Sequence, residues 1–181
     1  QTWEIVVTWG GGFSQTFTVN FNGTLGPVTA YTVDGEISMQ GRVARDTVGV
    51  IKLTGYGTDI FTADSLDKLG INYTLANVLT GEYTITTHQP RYLNITTDLA
   101  KKITLISNRT LSALWLRGGN AIWTDNEIDL DDASKVGTDW GSVANPDGNV
   151  NFDGIVNIQD LALVGGNYGL TSDVAYGTWL P

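Results

Sequence analysis

Along the first third of the chain apolar and polar residues alternate in twos. In "TWEIVVTW" the odd positions Trp3, Ile5, Val7 and Trp9 are apolar, and after "GGG" the alternation resumes with Phe13, Phe17, Val19 and Phe21 against Ser14, Thr16, Thr18 and Asn20. A period of two is that of a strand with one buried face, so residues 1–33 are expected to form an aromatic-rich β-ribbon, with "VTAYTV" as a third strand leading onward. From residue 34 to 117 short β-branched or alternating runs follow one another between turn residues: "EISMQGRV", "VGVIKLTGYG", "YTLANV", "GEYTITT", "YLNITT", "KKITLI" and "TLSALWL". Strands at such spacing predict a sandwich or barrel. Only beyond residue 118 does the period lengthen. Ile158, Leu161, Val164 and Tyr168 recur at helical spacing, as do Leu130, Ala133, Val136 and Trp140, and each set predicts the buried face of a helix.

The stretch before the second helix, "NVNFDGIVNIQD", places side-chain oxygens at Asn149, Asn151, Asp153, Asn157 and Asp160, with Gly154 in its middle. These are the first, third, fifth, ninth and twelfth places of a loop that wraps a hard cation. The sixth needs a glycine-like turn and the seventh, Ile155, contributes its backbone carbonyl. A shift of 28 residues finds a second copy: Asp125, Asn126, Asp129 and Asp132 fall under Asp153, Gly154, Asn157 and Asp160, and Glu127 falls under Ile155. Asn126 replaces the glycine because Asn tolerates a left-handed conformation. The first half of this copy is weaker, since Ala121 and Trp123 stand where oxygens are wanted. Asn120 takes the first place only if the loop is one residue longer.

The duplicated loop-helix pattern resembles a type I dockerin, a calcium-binding module of secreted bacterial proteins, over residues 118–181. The resemblance implies two Ca2+ sites, one on Asn149, Asn151, Asp153, the Ile155 carbonyl, Asn157 and Asp160, and one on Asn120, Asp125, Glu127, Asp129 and Asp132. The second loop matches more fully than the first. It opens with Asn149 where the family usually has Asp, which implies a lower affinity. Residues 34–117 resemble the carboxypeptidase regulatory-like family of transthyretin-like or Cna-B-like sandwiches through Tyr73, Leu75, Asn77, Val78, Gly81, Tyr83 and Ile85. The expected fold is therefore mainly β: an N-terminal ribbon (1–33), a β-sandwich (34–117) and a small α-helical dockerin-like module with EF-hand-like loops (118–181).

Composition narrows the function. The net charge of −9 disfavours nucleic acid and anionic membranes as partners. No apolar run reaches the length of a membrane span. Nine acidic residues and a single basic one, Lys135, lie between Asp125 and Asp160, a concentration that metal sites explain. Charged residues make up only 16% of the chain, against about 25% in an ordinary domain, and cysteine is absent. That profile, with a start at Gln1 in place of Met, leads to the expectation of a mature secreted or cell-surface protein. Sequons stand at Asn22, Asn72, Asn94 and Asn108.

No catalytic constellation is visible. His88 is the sole histidine and lacks a nucleophile and orienting partner, while Asp59, Asp64 and Asp67 read as loop residues rather than as a glycosidase pair. Two non-enzymatic functions compete, and the ribbon and the apolar tenth loop places, Leu130 and Ile158, where dockerins commonly have small hydroxyl residues, favour the first. In the first, the protein is a structural subunit that assembles into a homo-oligomer or polymer, its ribbon adding to a neighbour's sheet, although the ribbon could equally extend a sheet of its own domain. In the second, the sandwich spaces domains or binds carbohydrate while the dockerin-like part recruits a cohesin-like partner. Trp115, Trp123, Trp140 and Trp179 could stack on sugars, but core or interface packing is the more common use of such residues. The dockerin resemblance implies contact through the tenth and eleventh loop places, here Leu130 with Asp131 and Ile158 with Gln159. Chelation is expected to melt 118–181 and leave the sandwich intact.

Overall fold

The computed structural model describes residues 2–9, 13–20, 29–42, 50–55, 58–63 and 71–181, with side chains at 29–42, 51–55 and 72–181. The N-terminal alternation forms its ribbon: β1 (Thr2–Trp9) pairs antiparallel with β2 (Phe13–Asn20), setting Trp3 opposite Val19, Ile5 opposite Phe17 and Trp9 opposite Phe13. The pair is a two-stranded sheet of its own, and among the described strands it joins neither sheet of the sandwich.

The sandwich is built on β3 (Ala30–Met39). The two stretches "VTAYTV" and "EISM" merge into this one strand, so the expected boundary at 33/34 falls inside it. On one side β3 pairs antiparallel with β6 (Ile71–Leu79); on the other it pairs parallel with β9 (Arg109–Thr110) and β10 (Leu114–Leu116). The opposing sheet is antiparallel, in the order β5-β4-β7-β8, from β4 (Val50–Gly55), β5 (Thr58–Ala63), β7 (Gly81–His88) and β8 (Lys102–Leu105). Val33, Ile37, Ile51, Leu53, Ile85, Leu105 and Leu116 meet between the sheets, as period-two alternation requires.

Two local features shape this core. Leu75 and Val78 are both buried although strict alternation would turn one of them outward. The register resolves it: Tyr31 faces Val78 while Val33 faces Leu75, so β6 carries one extra residue, and Asn77 takes up the bulge with φ of 61°. Gly35 lies opposite Tyr73, and any side chain at Gly35 would run into that ring.

Strand β5, carrying Asp59, falls where the sequence suggested loop. Asp64, Asp67 and Asn22 lie outside the described residues. "YLNITT" in turn is no strand. Tyr92 makes an isolated bridge with Gly118, and a 3-10 turn follows at Thr97–Leu99. Tyr92, Leu93 and Ile95 are nevertheless fully buried. Ile95 exchanges bonds with Thr87 of β7 and Tyr92 N–H donates to Gln89 O, while the C-terminal part of the chain takes up the backbone groups of Leu93 and Asn94. Leu93 N–H donates to Arg117 O, Asn94 N–H to Asn126 Oδ1, and Leu93 O accepts from the Tyr176 hydroxyl.

That C-terminal part holds three short helices, α1 (Leu130–Thr138), α2 (Ile158–Gly166) and α3 (Ser172–Tyr176). Their buried faces are narrower than the expected stripes. Val136 and Val164 are buried, but Leu130 is 65% exposed, Ile158 63%, Tyr168 57% and Trp140 52%, with Leu161 also exposed. What α1 and α2 bury beside the valines are Asp132 and Asp160, one turn earlier on the same face. Val136, Val164, Ile128, Val156 and Tyr176 join the sandwich residues in one hydrophobic cluster, so the β-sandwich and the helical part share a core.

Candidate metal centres

Each of α1 and α2 begins from a loop built on the same plan. In the second loop Asn157 is the N-cap of α2, its Oδ1 accepting Gln159 N–H, and Asp160 Oδ2 reaches back to Asn157 N–H at 2.9 Å. This reciprocal capping box closes the helix start. Asp160 Oδ1 accepts Asn151 N–H (3.2 Å), Asp153 Oδ1 accepts Ile155 N–H (3.0 Å), and Asn151 bonds Asp153 through both its amide atoms. Asn157 Nδ2 faces the Ile155 carbonyl at 3.5 Å. Asn149, buried at the loop entrance, leaves its Oδ1 with no partner. The structure thus gathers Asn151, Asp153, Ile155, Asn157 and Asp160 into one network, with Asn149 at its rim.

The first loop repeats the plan with one residue inserted. Asp129 caps α1, Asp132 Oδ2 accepts Asp129 N–H (2.8 Å), and Asp125 Oδ1 accepts Glu127 N–H (3.2 Å), each 28 positions before its counterpart. Yet Asp132 Oδ1 accepts from Ile122, which is 29 positions before Asn151. The extra residue therefore lies between Ile122 and Asp125. It moves Asn120 into the place of Asn149: both are fully buried, and Asn120 has neither Oδ1 nor Nδ2 partnered. The sharp turns fall where expected, at Asn126 (φ 61°) and Gly154 (φ 98°). Glu127 is exposed, and its main chain bridges Thr171.

The units are interlocked. Val156, eighth in the second loop, donates to Ser142 O and accepts from Gly141 N–H, beyond α1. Ile128, eighth in the first, donates to Leu170 O and accepts from Gly169 N–H, beyond α2.

The electrostatics favour a cation. Asp132 and Asp160 are completely buried and form no ion pair with a described residue. Burial pushes both carboxyls above the ordinary range, and neighbouring acids add to it (Asp125 and Asp129 for the first, Asp153 for the second). The N–H groups of Ile122 and Asp129, and of Asn157, Asn151 and Val150, hold them back. A buried carboxylate is costly unless a cation or strong donors meet it, and an unpartnered buried amide oxygen costs about 1–3 kcal/mol. Among the described residues no three His, Cys, Asp or Glu side chains gather in one group. Any cation held here would rest on Asn amides and backbone carbonyls as much as on carboxylates, a donor set of hard oxygens that fits Ca2+.

Sequence reasoning missed what surrounds the loops. Arg42 and Arg91 of the sandwich both lie over the Phe152 ring, at 3.6 and 4.3 Å. Asn126 pairs with the backbone of Asn94 in both directions, at 2.7 and 2.9 Å. Asn94 itself is buried, bonding Gln89 and Tyr92 through its side chain, so it is a structural staple rather than an exposed glycan acceptor. Contacts spanning more than 30 residues leave no local signature. His88 rests edge-on against Trp123, ring centroids 5.9 Å apart, and Arg117 stacks on exposed Trp115 at 4.6 Å. Among the described residues no helix is long and apolar enough to cross a membrane.

No family model matches the sequence, and no curated protein is similar to it at a significant level. The fold does have solved counterparts. One is a chain of a type II Cohesin-X-Dockerin complex from Acetivibrio cellulolyticus mutated at its N-terminal interface, similar with a TM-score of 0.59 and 19% identity over 79% of this chain and 98% of that one. The C-terminal interface mutant of the same complex is similar to the same extent, with a TM-score of 0.59, 19% identity and the same coverage of 79% and 98%. At that identity the likeness establishes a shared, mainly β fold and leaves function to the residues.

Proposed function

We propose that the chain is a non-enzymatic, calcium-stabilised assembly module of the cell exterior, in which residues 118–181 form a dockerin-like unit and the sandwich braces it against a cohesin-like partner. The observation that carries this reading is the repeated pair of a buried carboxylate and a buried, unpartnered first-place asparagine: Asp132 with Asn120, Asp160 with Asn149. Asn151, Asp153, Asn157 and the Ile155 carbonyl complete the second site; Asp125, Asp129 and the Glu127 carbonyl complete the first. A bound Ca2+ supplies the positive charge these buried groups lack and so contributes folding free energy. A cohesin–dockerin type of pairing is suggested by the likeness to chains of such complexes, and Leu130 and Ile158, exposed at equivalent places of the two units, offer the contact.

Calorimetric titration with Ca2+ tests the reading: two sites are expected, with Asp132→Asn and Asp160→Asn each removing one. Heat of binding that survives both substitutions would overturn it. With calcium present, capture by an immobilised type II cohesin is expected. Capture by a dockerin in its place would assign the chain the opposite role in such a pair.

A second reading, self-assembly, is favoured by the ribbon, which pairs only with itself among the described strands. Sedimentation in millimolar calcium is then expected to show species larger than the 19.5 kDa monomer. A monomer at every concentration removes strand addition as an assembly device.

A further inference from the structure

Arg91 lies where the sandwich meets both loops and serves each with a different part of itself. Its backbone carbonyl accepts the N–H groups of Gly119 (3.1 Å) and Asn120 (3.2 Å), which positions the first place of the first loop. Its guanidinium donates to the Asn149 carbonyl (2.9 Å), and to the side-chain and backbone oxygens of Asn145 (2.9 and 3.0 Å), which positions the first place of the second. The residue is 7% exposed, its backbone is left-handed with φ of 67°, and its guanidinium is packed on Phe152 and 3.8 Å from Asp147. A buried side chain on a conformationally confined backbone moves as a unit, so a shift at one loop entrance is transmitted to the other.

We propose that Arg91 is a positioning residue that couples the two cation sites, so that order in either loop raises the affinity of the other. The proposal rests on the reading of both loops as calcium sites. Ordering a loop costs conformational entropy. Whichever loop orders first immobilises Arg91, and the other loop then begins with its first-place residue already held, so less ordering remains for it. Coupling of this kind is reciprocal by necessity. The interlock of Ile128 and Val156 also joins the loops, but through the eighth place, so substitution at Arg91 separates the two routes.

The test uses the full chain and Ca2+ alone. Calorimetry gives the affinities, and chemical shifts of Gly154 and Asn126 report each loop separately. Asp160→Asn is expected to lower calcium affinity at the first loop, and Asp132→Asn that at the second, by the same factor of about five or more. In an Arg91→Met background both loops are expected to bind, but that factor should fall toward one. Arg91→Lys keeps the charge without the planar fork and is expected to uncouple the sites as well. It carries the comparison should Arg91→Met not fold. If the Arg91 variants weaken both loops and leave the reciprocal factor intact, Arg91 is merely structural and the proposal is overturned. Equal affinity with and without the distant substitution overturns coupling altogether. Absence of calcium uptake by every variant, wild type included, overturns the calcium reading together with the coupling.

Discussion

Chelation of divalent cations is expected to open residues 118–181 to amide hydrogen exchange and to carry residues 91–94 of the sandwich with them. Sequence alone suggests a module that melts by itself. The structure joins the two parts by a common core and by main-chain bonds. Leu93 bonds Arg117 and Tyr176, Asn94 bonds Asn126 and Ser172, and Arg91 bonds both loops. An ion present at about a hundred times its dissociation constant contributes roughly 2.7 kcal/mol, a large share of a small domain's stability. Its removal uncovers Tyr92 and Leu93, the latter bonded through its main chain to Arg117 and Tyr176, while Ile95 keeps its bonds to Thr87 of β7. Exchange measured in calcium and in chelator distinguishes the cases. Protection at 91–94 that stays unchanged while 118–181 opens would show the sandwich to be independent.

Truncation at Tyr176 is the second large effect. Its ring is buried in the shared core, and its hydroxyl bridges two main-chain groups, donating to Leu93 O and accepting Arg117 N–H, each at 2.9 Å. Tyr176→Ala is expected to cost about 3–5 kcal/mol, as for other large buried aromatics. Tyr176→Phe keeps the packing but leaves a buried carbonyl and a buried N–H unpaired, for about 1–3 kcal/mol apiece at most. Urea unfolding followed at the sandwich strands measures both. Phenylalanine behaving like wild type would mean that water satisfies those groups.

The legible parts of the molecule are those encoded locally. Gly154 and Asn126 mark their turns because a left-handed residue is required there, and the capping pairs Asn157–Asp160 and Asp129–Asp132 lie three residues apart. The strand runs around Leu53, Leu75 and Ile85 alternate as a half-buried sheet must. The missed parts are non-local. Ile158 and Leu130 satisfy a helical period yet face solvent, since the core face of each helix is committed to a carboxylate and a valine. "YLNITT" has strand composition, but it lies along no single strand: Ile95 bonds Thr87, while Leu93 bonds Arg117 and Asn94 bonds Asn126, far along the chain. The fixed-offset repeat admits Asn120 to first place only on the condition of a longer loop, and the structure meets that condition, in the N–H that Asp132 accepts and in the burial of Asn120.

The central strand β3 sets an order of events during synthesis. Its antiparallel neighbour β6 emerges soon after it, but Ile37 must wait for Leu114 to gain its parallel partner. Until then one edge of β3 stays open, and closing so long a loop is entropically slow. At about 5–20 residues per second on the ribosome, that edge is unpaired for several seconds. Over that interval the nascent chain is at its most prone to intermolecular pairing, and the completion of β9 and β10 ends it.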